Sequence, residues 1–322
     1  MRYEEIISYC CGAYEKGNFG GVARYDHTLS KVFPERKYFK GPDEKRKMLD
    51  YLRRCKNPVV LADNHLSCDV PNEYPVFILH HGCALTTSGR NPDWEEPWKS
   101  LCTNGQKKMI EYRDPKKTTM VSTSKSCRVD FEHYFGKKYT RFRIIDLLNT
   151  SELDESRQKN GKFNDRPIVL GNWGHVKKGS RVMPRVMKDL RKDFDFRQLK
   201  ISPSGKSEKE ITDFNKKKQD IYLECDIFLQ ISSSEGNAFS SLDAMLCGMA
   251  VVSTDVGKFY GDVPEDCFVK MDWRRQDDPR YVKKCLEQAW SNREKLGEKA
   301  REWYMNTSKM EIFKQKWNEI LS

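Results

Sequence analysis

Short runs that are apolar almost end to end alternate along this chain with segments whose apolar residues recur every three or four positions. Uniformly apolar runs read as strands covered on both faces, and the three-to-four spacing reads as amphipathic helix. The strand pattern falls at 5–10, 58–62, 76–80, 118–122 and 142–147, then at 167–170, 196–201, 227–230, 250–253 and 267–269. Helical patterns lie between them, as at 44–54, 181–192 and 239–247. Strands alternating with helices predict βαβ units and parallel sheets.

The pattern breaks once. Residues 149–166, NTSELDESRQKNGKFNDR, are polar with almost no large apolar side chain, which is linker composition. The break divides the 322 residues into domains of ordinary size, 1–155 and 156–305. The tail, 306–322, carries Ile312, Phe313, Trp317, Ile320 and Leu321 at the spacing of one helical face, suited to packing back on the first domain.

Composition narrows the classes. No stretch approaches the roughly 18 apolar residues of a membrane span, and the N-terminus has no secretory pattern, so a cytoplasmic protein is expected. The eleven cysteines include no CxxC pair and read as reduced, partly core residues, with no zinc site. A net charge of +11 attracts polyanions without choosing among nucleic acid, anionic lipid and nucleotide. Segment 44–54, with Lys45, Arg46, Lys47, Arg53 and Arg54 around Met48, Leu49 and Leu52, suits either an anionic membrane surface or a solvated helix face.

The segment 225–257, CDIFLQISSSEGNAFSSLDAMLCGMAVVSTDVG, concentrates the chemistry. A strand ends at Gln230, a polar loop follows, a helix begins near Ala238 or Phe239, and Gly248 stops it before a second strand. Ligands of parallel α/β sheets bind outside the carboxyl ends of the strands, where a helix N-terminus offers backbone N–H groups to a phosphate. Glu235 and Asp243 bracket that helix start, and at ~100° per residue a spacing of eight nearly restores one face, so both acids are expected to face one ligand.

This segment resembles the donor-binding signature of retaining GT-B glycosyltransferases of the GT4-like group: a Glu, seven residues, then a second Glu. Glu235 matches the first acid, and Asp243 stands where the family has its second Glu. The resemblance implies an α/β GT-B fold, two Rossmann-like domains with a cleft between them and a C-terminal helix crossing back to the first. It implies a nucleotide-sugar donor held mainly by the second domain, transfer to a glycan, lipid-linked or other hydroxyl acceptor, retention of configuration, and no metal or other cofactor. By the same resemblance Glu235 serves the donor sugar and Asp243 the ribose, while Gly236, Asn237, Ala238, Phe239 and Ser240 line the donor at the helix start.

Further segments agree in order. IVLGNWGHVKKGS, 168–180, resembles the opening of the family's C-terminal domain, with Gly171 matched and Lys178 at the diphosphate-gripping lysine. Asn172 stands where the family has an arginine. Gly20 and Gly21 resemble the glycine-rich turn after the first strand, and PVFILHHG ends with His80 and His81, where relatives place a donor-facing histidine. Neighbours on a strand face opposite ways, so at most one of the two reaches the site, and His81 is favoured. Asp193 and Asp195 form a DxD, but at the amino end of a strand, away from a ligand position. Two rivals remain: a GT-B enzyme acting on modified DNA bases, and a non-catalytic basic nucleic-acid-binding protein. No signature of a known nucleic-acid-binding module supports the second.

Overall fold

The computed structural model describes residues 3–11, 21–139, 141–145, 153–199 and 208–322. In chain order the elements are β1 (Glu5–Cys10), α1 (Gly21–Val32), β2 (Lys37–Lys40), α2 (Lys45–Leu52), β3 (Pro58–Asp63), β4 (Val76–His80), α3 (Ala84–Arg90), α4 (Trp98–Tyr112), β5 (Thr118–Ser122), α5 (Lys125–Phe135) and β6 (Phe142–Ile144). There follow β7 (Ile168–Gly171), α6 (Met183–Leu190), β8 (Asp195–Gln198), α7 (Glu208–Glu224), β9 (Ile227–Gln230), α8 (Phe239–Leu246), β10 (Ala250–Thr254), β11 (Val269–Met271), α9 (Pro279–Ser291), α10 (Arg293–Thr307) and α11 (Met310–Leu321). Two compact units result: Met1–Ser88 with Trp94–Thr150 and Met310–Ser322, and Gly89–Asp93 with Ser151–Lys309.

The first unit holds a six-stranded sheet in the order β2-β1-β3-β4-β5-β6, with every neighbouring pair parallel. Its central strands β3, β4 and β5 are buried along their whole length, as their apolar sequences require. Strand β2, KYFK, escapes an apolar-run reading because lysines flank its aromatics and only Phe39 is buried. It is an edge strand, where charge discourages further pairing. Helix α2 turns Met48 and Leu52 into the core, so its basic face is left to solvent without an apolar stripe beside it.

The second unit holds a five-stranded parallel sheet, β11-β10-β9-β7-β8. The apolar run at 267–269 begins too early for the last strand: Glu265–Cys267 form a 3-10 turn and the strand is Val269–Met271. In each sheet the chain reverses its direction of growth once, between β1 and β3 and between β7 and β9. Such switch points leave a crevice beyond the carboxyl ends of the two strands, because the following loops depart to opposite sides. No helix among the described residues is long and apolar enough to cross a membrane.

Helix α11 belongs to the first unit and buries Phe313, Trp317 and Leu321, four residues apart on one face. The Trp317 ring is fully buried, with centroids 6.5 Å from Tyr25, 6.2 Å from Phe33 and 6.3 Å from Phe77. Ile312 and Ile320 sit at the margins of that face and are half-buried. Trp317→Ala should destabilise the first unit by about 3–5 kcal/mol through the cavity it leaves. Urea unfolding followed by probes in each unit measures this; an unchanged midpoint for the first unit would show that the helix is not part of its core.

Candidate functional site

At the switch point of the second unit, β7 ends in Gly171-Asn172 and β9 runs into the loop 231–238 that leads to α8. One small pocket brings together Asn172, Lys178, Ser232, Glu235, Ala238 and Ser240. Asn172 Nδ2 donates to Ser240 Oγ at 3.4 Å, tying the end of β7 to the first turn of α8. Gln230 closes the other side: it accepts from Ser241 Oγ on α8 and donates to Ser253 Oγ on β10 at 2.9 Å. The helix start is therefore tied to the end of β7 and to β9, and β9 in turn to β10.

Glu235 faces this pocket with its side chain only 8% exposed. Its Oε1 accepts the Ser232 hydroxyl at 2.9 Å and lies 3.6 Å from Lys178 Nζ. Burial pushes the carboxyl up, but the Lys178 and Lys177 ammonium groups and the Ser232 hydroxyl outweigh it and hold the group below its ordinary value. Gly257 makes the loop possible. Its φ is 59°, and a Cβ there would stand 2.9 Å from the Glu235 Cβ, so no larger residue fits without moving the acid.

Lys178 closes a 3-10 turn, Val176–Lys178, which Gly179 ends in the left-handed conformation. The space before Gly171 is filled by the Trp173 ring, whose Nε1 donates to Leu229 O, so this glycine seats a core tryptophan. Ala238, the residue before α8, is itself left-handed at φ 62°, a conformation that costs a non-glycine residue roughly 1–2 kcal/mol. Asn237 is 5% exposed with neither amide atom hydrogen-bonded. Phe239 opens the helix, and Gly236 presents its carbonyl toward Gly257.

The two acids do not share a face. Eight residues restore a helical face only if all eight are helical, and α8 begins at Phe239, four residues beyond Glu235, after the left-handed Ala238. Asp243 is fully buried and pairs with Lys218 of α7, and it does not line the pocket that Glu235 enters. Periodicity alone could not reveal Lys218, because it stands 25 residues from its partner.

The DxD acids sit at the amino end of β8: Asp193 pairs with Lys283 and Asp195 with Arg166. Gly20 lies outside the described residues, and Gly21 is the exposed first residue of α1. His81 follows β4 in the first unit, where its Nε2 lies 2.8 Å from Asp63, a residue with no signal in the sequence pattern. His80 is buried against Phe131, and desolvation together with the neighbouring His81 pushes its pKa down to about 3, which leaves it a neutral core residue.

No protein-family profile matches the sequence, and no curated protein matches it. Solved structures do. A sucrose-phosphate synthase from Thermosynechococcus elongatus aligns with a TM-score of 0.72 at 12% identity over 98% of each chain. HepE from Anabaena, solved with UDP and glucose, aligns with a TM-score of 0.65 at 11% identity, over 98% of this chain and 99% of that one. A glycosyltransferase from Rickettsia africae ESF-5 gives 0.62 at 13% identity, over 99% and 98%. At such identities the likeness is one of fold, and the fold is GT-B: two parallel α/β units.

Two stability measurements check this geometry. A carboxyl held below its unfolded value contributes stability that is present above the unfolded value and lost as pH falls through the folded one. Wild type should thus lose part of its advantage over Glu235→Gln as pH drops below the ordinary 4.5, whereas a constant difference from neutral to acid pH would contradict the ionised, lysine-paired state. Asp243→Leu should cost about 3–5 kcal/mol by stranding the buried Lys218, and adding Lys218→Met should recover most of it. Additive losses in that pair would show that the two side chains are not coupled.

Proposed function

We propose that the protein transfers a sugar from a nucleotide-sugar donor to an acceptor hydroxyl, with retention and without a divalent metal, and that the second unit holds the donor. The observation that carries this reading is the pocket at the β7/β9 switch point, where Lys178, Asn172, Glu235 and the first turn of α8 converge. The fold shared with the sucrose-phosphate synthase and with HepE supports it.

The chemistry follows from charge. As the anomeric C–O bond to the diphosphate breaks, negative charge grows on the leaving phosphate oxygens. Lys178 and the N-terminus of α8 are preorganised donors for that charge, and Lys177 adds to the local field. Asn172 contributes an amide where the family has a guanidinium, so the lysines carry the cationic share here. Retention follows when the acceptor oxygen bonds the anomeric carbon on the face the diphosphate vacates, with the acceptor proton passing to the departing phosphate. Glu235, kept ionised, accepts hydrogen bonds from hydroxyls of the transferred sugar and orients it. Asp243, fully buried against Lys218 and outside that pocket, anchors α7 to α8.

A panel of UDP-glucose, UDP-N-acetylglucosamine, GDP-mannose and ADP-glucose, scored for transfer and slow donor hydrolysis, tests the proposal. At least one should be consumed, at an unchanged rate in EDTA, giving a product of the donor's anomeric configuration by proton NMR. Glu235→Gln should lower kcat by roughly a hundredfold and leave nucleoside diphosphate affinity within about twofold. No turnover of any member, rescue by manganese after chelation, or an inverted product would each contradict the corresponding part of the reading.

A further inference from the structure

At the switch point of the first unit the chain builds a second polar arrangement, and the donor pocket does not use it. Asp63 ends β3, and its 2% exposure marks it as a core position occupied by a carboxylate. Its Oδ2 accepts the backbone N–H of Cys11, the residue after the neighbouring strand β1, at 2.8 Å. Its Oδ1 lies 2.8 Å from His81 Nε2, just past the end of β4. The register explains the reach: Asp63 stands opposite Leu79, so the residues after β4 come level with the end of β3 and beyond it.

The two adjacent histidines meet opposite fates. His80 points into the core, where Asn64 Oδ1 lies 3.1 Å from its Nδ1 and its Nε2 has no partner. The His81 side chain keeps 12% exposure, and no protein hydrogen bond holds its Nδ1 among the described residues. The Tyr25 ring meets its edge at 5.4 Å between centroids, fixing the plane of the imidazole.

A carboxylate only accepts hydrogen bonds, so the Asp63 contact requires a proton on His81 Nε2. In the Nε2–H tautomer the ring's lone pair lies at Nδ1. Cys11 N–H orients Asp63, Asp63 orients His81, and the outcome is one directed hydrogen-bond acceptor at the carboxyl end of the first sheet. We propose that Asp63 is a positioning residue that locks His81 in the Nε2–H tautomer, so that Nδ1 accepts a hydrogen bond from a sugar hydroxyl. The sugar contact rests on the glycosyltransferase reading, whereas the tautomer lock stands on the first unit's geometry alone.

Long-range proton–nitrogen NMR of protein labelled with 15N-histidine, at mildly alkaline pH, reads the tautomer directly; loss of signals in His81→Gln assigns the ring. Wild-type His81 should show a protonated Nε2 and a bare Nδ1. Asp63→Asn keeps the shape and an oxygen for Cys11 N–H, but should abolish the single tautomer while leaving the other histidine patterns intact. With the member of the nucleotide-sugar panel that is consumed, Asp63→Asn and His81→Gln should each lower kcat/KM by roughly tenfold to a hundredfold. A shift of Nδ1 on adding that nucleotide sugar, but not its free sugar, assigns the hydroxyl to the donor, and the reverse assigns it to an acceptor sugar. A proton on Nδ1 in the wild type overturns the proposal, as does a tautomer indifferent to Asp63→Asn. Turnover at the wild-type rate in both variants overturns the sugar contact. A locked tautomer in a protein that consumes no member of the panel sinks the glycosyltransferase reading and leaves the Asp63 lock standing.

Discussion

An ionised carboxylate drawn into a loop between a buried strand and a buried helix has to be compensated, and the second unit is arranged around the compensation of Glu235. Its charge meets Lys178 and Lys177 from the loop after β7 and the hydroxyl of Ser232 from the loop after β9. Those two loops belong to the strands on either side of the switch point, so the ion pair spans the crevice in which parallel sheets bind ligands. Gly257, from the loop after β10, leaves the room that this packing needs. Displacing the acid would strand Lys178 beside a helix N-terminus of like polarity, and binding an anion there would instead draw the lysine across to it.

The same logic operates in the first unit with different residues. There a carboxylate at the end of β3 bridges a backbone N–H after β1 and a histidine after β4. Each unit thus places an acid at its switch point and pairs it with a group that can be offered to a ligand: an ammonium in one, an imidazole in the other. Parallel sheets buried on both faces leave little choice, because the carboxyl ends of the strands are where backbone and polar side chains emerge together.

Much of the fold was legible because buried parallel strands are written as apolar runs. The strands Glu5–Cys10, Val76–His80, Thr118–Ser122 and Ile227–Gln230 coincide with the runs that predict them. Lys37–Lys40 was hidden because an edge strand needs little burial, and Val269–Met271 was misplaced by two residues because Cys267 is buried in a turn, not in a strand. Within the site, Glu235, Ala238 and Ser240 of the motif line one pocket, whereas Gly236, Asn237 and Phe239 on the same stretch do not line it. A face shared by Asp243 and Glu235 requires a helix phase that the left-handed Ala238 interrupts. Lys218, Asp63 and Gly257 act through partners distant in sequence, and a single chain carries no periodic signal for such pairs.

In the proposed reaction the diphosphate of a nucleotide sugar sits at the start of α8 beside Lys178. A crystal structure with a bound, non-hydrolysable nucleotide sugar measures this most directly. Phosphate oxygens should lie within hydrogen-bonding distance, roughly 2.7–3.2 Å, of Lys178 Nζ and of backbone N–H groups at the first turn of α8, with Glu235 against the sugar. A nucleotide bound elsewhere, with the Lys178–Glu235 pair undisturbed, would contradict it.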